Sequence, residues 1–210
     1  MEDWQLELSA KSANLETIQF YLQTQTDKLA TLVLGLTSPD DTYRYNSFML
    51  CQQICKVEPE ILYPFWPEVE AMLPSENNYH RSIAILLLGA LCPADSKGCF
   101  ELIADRYFSY LNGGSVMTAR YIVQSCVTIF RSKPVLRTLI TDILLHIENY
   151  CNLPPERIDL LRTDILDCLE QLYPLLTEKD SALHFAEAAL SAKSSKTCKT
   201  AKLFLKKHVG

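Results

Sequence analysis

The apolar positions of this chain recur with the period of an α-helix, and the helical stretches themselves recur at a longer interval. Four arginines open similar segments: Arg44 in Tyr43-Arg44-Tyr45-Asn46-Ser47-Phe48, Arg81 in His80-Arg81-Ser82-Ile83, Arg120 in Ala119-Arg120-Tyr121-Ile122 and Arg162 in Leu161-Arg162-Thr163-Asp164. A similar interval beyond Arg162 reaches Lys199, another cation opening a helical run. With the segments registered on arginine, the third position after it reads Ser47, Ala84, Val123 and Ile165. The sixth reads Leu50, Leu87, Cys126 and Cys168, the seventh Cys51, Leu88, Val127 and Leu169, and the tenth Ile54, Leu91, Phe130 and Leu172. Offsets 3, 6, 7 and 10 lie on one side of a helix that turns about 100° per residue. A strand alternates every second residue and gives no such register.

Helices are predicted over 3–23 (with a break near Asn14), 26–36, 39–56, 59–73, 76–92, 96–111, 115–131, 134–150, 155–174, 179–192 and 195–208. The punctuation agrees with this division. Ser38-Pro39-Asp40-Asp41 reads as an N-cap, a proline at the first helical position and two acids in the first turn. Ser75-Glu76 and Pro154-Pro155-Glu156 open later helices, and Lys133-Pro134, Asn112-Gly113-Gly114 and 174–177 separate them. Long linkers are absent, so one domain is expected over 1–210. Within it, 1–25 forms an N-terminal capping helix, 26–192 the repeats and 193–210 a basic amphipathic capping helix.

A helix pair recurring about every 40 residues resembles the HEAT and armadillo repeats, over about residues 26 to 208. That resemblance implies an all-α, right-handed α-α superhelix, a solenoid of about five helix pairs. In HEAT repeats an Asp in the turn often pairs with the arginine of the second helix. Asp41 stands before Arg44, but Asn78 and Thr118 stand at similar places before Arg81 and Arg120, so this ladder is incomplete. The resemblance further implies a protein or peptide bound in the concave groove of the second helices.

The face opposite the apolar stripe should line that groove. The candidate partner-binding residues are Arg44, Tyr45, Gln52, Arg81, Ser82, Gly89, Arg120, Tyr121 and Thr128. Two uses are open for the arginines: a row of cations for an acidic partner, or internal caps and ion pairs between repeats. The neutral, partly aromatic groove face suits an amphipathic helix or an extended peptide, or is partly packed against neighbouring helices.

Charge changes this picture at one end. The segment 193–210 holds six Lys and no acid, whereas 1–192 holds 14 cations and 25 acids, a net of −11. An acidic body disfavours nucleic acid, whose binders carry clustered positive charge. Lys193, Lys196, Lys199, Lys202 and Lys206 recur every three or four positions, with Cys198, Ala201, Phe204, Leu205 and Val209 on the other side. This predicts an amphipathic helix whose basic surface (Lys196, Lys199, Lys202 and Lys206) either sits in water above a capping contact or meets an anionic partner.

The longest uncharged apolar run, Ile83–Cys92, is about half the length of a membrane-spanning helix, which needs roughly 20 residues. The acidic start, Met1-Glu2-Asp3-Trp4, lacks the basic-then-apolar pattern of a secretion signal, which predicts a cytoplasmic protein with reduced thiols. The eight Cys show no Cys-x2-Cys spacing, and most are assigned to packing. His80, His146, His184 and His208 fall in separate repeats, and no nucleophile, zinc or phosphate-loop motif accompanies them. Neither a cofactor nor a metal site is predicted, and a non-catalytic scaffold is expected. Two alternatives stand beside it: a nucleic-acid-binding repeat protein similar to the DNA alkylation repair glycosylases, and an enzyme or lyase on the same scaffold. Phe65-Trp66, with Tyr63 and two prolines, reads as a packed kink or, if exposed, a contact surface.

Overall fold

A computed structural model describes residues 2–113 and 115–209. Gly114, the last residue of the predicted Asn112-Gly113-Gly114 break, lies outside the described residues. The fold is all-α, and no described residue is in a strand. No helix among the described residues is long and apolar enough to cross a membrane. The chain divides into two compact units, Met1–Phe100 and Glu101–Gly210.

The first unit contains α1 (Asp3–Leu8), α2 (Leu15–Thr24), α3 (Leu29–Leu34), α4 (Asp41–Val57), α5 (Pro59–Leu62), α6 (Trp66–Ala71) and α7 (Asn78–Leu91). The predicted break near Asn14 is real: Asn14 is the N-cap of α2, accepting the Thr17 N–H. Helix α4 is the hub, packing on α1, α2, α3, α5 and α7. Pro64 and Pro67 break the next helix into α5, a 3-10 turn and α6. There Trp66 is buried, its indole N–H donating to Glu70 at 2.9 Å and its ring meeting Tyr63 and Phe100 edge-on. The Phe65-Trp66 segment is therefore a packed kink.

The second unit contains α8 (Cys99–Ser109, beginning at the end of the first unit), α9 (Val116–Ser132), α10 (Arg137–Leu145), α11 (Pro155–Leu172), α12 (Lys179–Ala189) and α13 (Ser195–His208). Helix α11 lies between α9 and α13, and α10 packs on both α9 and α12.

All 16 stripe positions, offsets 3, 6, 7 and 10 in α4, α7, α9 and α11, are buried. This is the hydrophobic effect acting on a helical period: each stripe can leave water only against a neighbouring helix. Six cysteines, Cys51, Cys55, Cys92, Cys126, Cys151 and Cys168, are buried with it, while Cys99 and Cys198 are half-buried.

The helix starts depart from the predicted ones in one consistent way. Asp40, rather than Ser38, is the N-cap of α4 and accepts the Tyr43 N–H; Asn77, rather than Ser75, caps α7. In both turns the serine hydroxyl accepts the N–H of the capping residue two positions on, at 3.2 Å. Pro39 and Glu76 thus lie inside the turn and outside the helix.

Candidate partner-binding surface

The four arginines are used inside the fold. Arg44 is buried; its guanidinium donates to the Ser38 carbonyl at 2.7 Å and pairs with Asp41. Arg81 repeats the arrangement, donating to the Ser75 carbonyl at 2.7 Å and reaching Asn78 at 3.5 Å. Arg162 pairs with Asp159, again three positions earlier, at 2.8 Å, and with Glu148 at 2.7 Å. At Arg120 the residue three earlier is Met117, which has no acceptor oxygen in its side chain. Arg120 turns to a different helix and clasps Asp164 of α11 with Nε at 2.6 Å and Nη2 at 3.1 Å. Hydrogen bonding to Asp164 raises the Arg120 pKa further, against the opposing effect of burial. Asn78 thus stands where Asp41 and Asp159 stand for the other arginines, and Arg120 finds its acid on another helix.

The face expected to line the groove is only partly open. Tyr45 is 60% exposed; Gln52, Ser82, Tyr121 and Thr128 are half-buried; Gly89 is buried and offers no surface. Ser125 and Thr163, five positions after Arg120 and one after Arg162, are buried as well, Thr163 within 2.8 Å of the Thr197 hydroxyl. A helix with a neighbour on each side has part of its outward face covered: α11 is flanked by α9 and α13. Within the first unit the structure brings together a pair that the spacing did not reveal. The Arg44 guanidinium carbon lies 5.2 Å from the centre of the Tyr79 ring, and Tyr79 is itself 68% exposed. Tyr79 sits two positions before Arg81, at the start of α7. Its exposure depends on the direction of the α7 entry turn, which the apolar stripe does not report.

The basic helix has one packed side and one wet side. Thr197, Ala201 and Phe204 are buried, Thr197 donating to the Asp159 carbonyl at 3.0 Å. His208 stacks on Tyr173 with ring centres 3.7 Å apart, and with Lys207 it holds Glu170. Desolvation acts to raise the Glu170 pKa, but these two partners outweigh it and lower the value. Lys193, Lys196, Lys199, Lys202 and Lys206 are exposed. The helix therefore packs on α11 and α12 while presenting its lysines.

Two histidines expected in separate repeats share a cavity of about 370 Å³ in the second unit, lined by His146, Glu148, Arg162, Ser181, His184 and Phe185 among others. His146 Nδ1 lies 2.9 Å from Asp142, which also takes the Tyr150 hydroxyl. His146 and His184 are separated in sequence by close to one repeat length, which is the signal that would have brought them together. Among the described residues no three of His, Cys, Asp and Glu converge in a group that could hold a metal ion.

Comparisons with protein-family profiles, with curated proteins and with solved structures gave no match to this chain.

Proposed function

We propose that this protein is a non-catalytic scaffold of HEAT/armadillo type that binds a protein or peptide on the outward face of its second helices. One observation carries the reading: Tyr45 and Tyr79 stand 60% and 68% exposed on neighbouring helices whose stripe residues are buried. Tyrosines supply large contact area at low side-chain entropy cost and are enriched where proteins meet. Arg44 beneath Tyr79 fixes that ring from the protein side and leaves the other side for a ligand. The partner is met first by aromatic and neutral groups of the first unit, Tyr45, Tyr79, Gln52 and Ser82. The arginines act as supports, because their hydrogen bonds are already used internally.

The repeat reading rests on the recurring cap, arginine and stripe. Within each unit helices of the arginine series lie side by side, α4 with α7, and α9 with α11, which in turn meets α13. This is the stacking that helical repeats use to bury their apolar faces.

The test is selection of binders from a displayed random-peptide library against the intact chain, with recovered peptides titrated against Tyr45→Ala/Tyr79→Ala. Loss of affinity by about ten-fold or more, with unchanged thermal stability, is the expected result. Peptides that bind the double variant as tightly as the parent would overturn the choice of surface.

A further inference from the structure

We infer that copies of this chain associate head to tail, the basic face of α13 in one copy meeting the acidic face of α1 and α2 in the next. Three observations converge on a second copy as the partner. The first is charge. The first unit, 1–100, holds 13 acids and six cations, a net of −7, whereas 101–210 holds 12 acids and 14 cations, a net of +2. Six of those 14 cations lie within 193–210.

The second is the surface of α13. Leu203 is 69% exposed, with Lys199 one turn before it and Lys206 one turn after. Lys199, Lys202 and Lys206 make no hydrogen bond or ion pair with a described residue. The helix's other face is already buried, so it cannot turn over to insert its apolar side into a lipid surface. What it offers is a basic ridge with one apolar knob.

The third is the surface of α1 and α2. A cavity of about 700 Å³ is lined by Glu2, Asp3 and Glu7 together with Trp4, Ile18 and Tyr21; Glu2 is paired with Lys28, so Asp3 and Glu7 carry the acidic charge of this face. Leu6 and Tyr21 are exposed, and Phe20 is 73% exposed. Terminal elements of helical repeats need polar outer faces to remain single, and neither terminal face here is purely polar. The two faces match in kind, apolar with acid against apolar with base. Like would repel like, so neither face pairs with its own copy. A contact between two different faces is heterologous and leaves each complex with one free face of each sort. Association through such a contact either continues or closes into a ring, and it weakens as salt screens it.

The experiment is sedimentation velocity of the full chain over a concentration series, at about 0.05 M and about 0.5 M NaCl. The wild type is expected to sediment faster with concentration at low salt, and to lose that dependence at high salt. Lys199→Glu/Lys202→Glu/Lys206→Glu is expected to stay monomeric, and so is Asp3→Lys/Glu7→Lys. The lysines and Asp3 are exposed side chains, whereas Glu7 also accepts the Asn14 N–H at 3.0 Å; each variant's helical circular dichroism is matched to the parent's, and Asp3→Lys alone takes the place of the pair where the pair does not match. The deciding sample is an equimolar mixture of the two variants: each interface is then either the original or its charge-reversed equivalent, and association returns. Leu203→Ser, which keeps every charge, should weaken wild-type association by about ten-fold. A wild type that stays monomeric at low salt overturns the inference and leaves the lysines to an acidic partner of another kind. Association that survives in either charge variant alone, or that fails to return on mixing, overturns it too. Tyr45 and Tyr79 belong to neither face, so this result and the peptide-binding test are independent.

Discussion

Ser47 and Gly35 show how closely a single atom is placed in this fold. Gly35 opens the 3-10 turn Gly35–Thr37, which packs on α4. A Cβ at Gly35 would lie 2.4 Å from Ser47 Oγ and 2.8 Å from the Tyr43 ring, so the turn approaches α4 only because no side chain stands there. Ser47 occupies a stripe position that α7, α9 and α11 fill with Ala84, Val123 and Ile165, and its buried hydroxyl has no hydrogen-bond partner among the described residues. Removing that hydroxyl removes a desolvation cost. Ser47→Ala is expected to stabilise the protein by about 1 kcal/mol in urea unfolding. Gly35→Ala is expected to cost about 1–3 kcal/mol by overpacking. In the double variant the cost should be smaller than the sum, because the nearest clashing atom is gone. A stability loss on Ser47→Ala would show that the hydroxyl is satisfied in solution.

Among the elements, the starts of α4 and α7 are small circuits of side chain and backbone. In α4 the Ser38 hydroxyl holds the Asp40 N–H, Asp40 caps Tyr43, and Arg44 returns to the Ser38 carbonyl. The α7 start repeats these contacts with Ser75, Asn77 and Arg81. The Arg44 bond to the carbonyl is the interior half of the circuit, while its ion-pair partner Asp41 is almost fully exposed. Arg44→Met should therefore lower stability by about 1–3 kcal/mol, since it orphans a carbonyl. Asp41→Ala should cost less than about 1 kcal/mol, since a solvated pair contributes little. Urea unfolding of the two variants separates the roles, and equal losses would assign the energy to the ion pair.

Across the molecule, the cysteines report on each unit. Burial raises the thiol pKa of Cys51 and Cys168 well above the usual range and that of Cys55 and Cys126 to about 12, so little thiolate forms near neutrality. Native protein at about pH 8 is expected to alkylate first at Cys198 and Cys99, the two half-buried thiols. Peptide mapping in rising urea then reads Cys51, Cys55 and Cys92 for the first unit, and Cys126, Cys151 and Cys168 for the second. Native labelling of Cys51 as fast as Cys198 would contradict the packed stripe. The charge divides along the same line, with the acid excess in the first unit and the densest run of cations at the end of the second. That asymmetry gives the surfaces of the two units opposite charge for a second copy to meet.

The helices and their buried sides were legible in the order of residues alone, because helical periodicity and water's exclusion of apolar groups act locally and are written in the spacing. Offsets from Arg44, Arg81, Arg120 and Arg162 named 16 positions, and every one is buried. The lysine face of α13 was readable for the same reason. Packing in three dimensions chose where each polar group finds its partner, since a hydrogen bond is satisfied by whichever atom stands within about 3 Å, however distant in sequence. That is why Arg120 reaches Asp164 while Arg44 turns back to its own loop. It is also why Gly89 and Thr163 are covered, and why Tyr79 shares a surface with Arg44. Which outward side chains remain in water is settled by the neighbouring helix, and no single helix's pattern contains it.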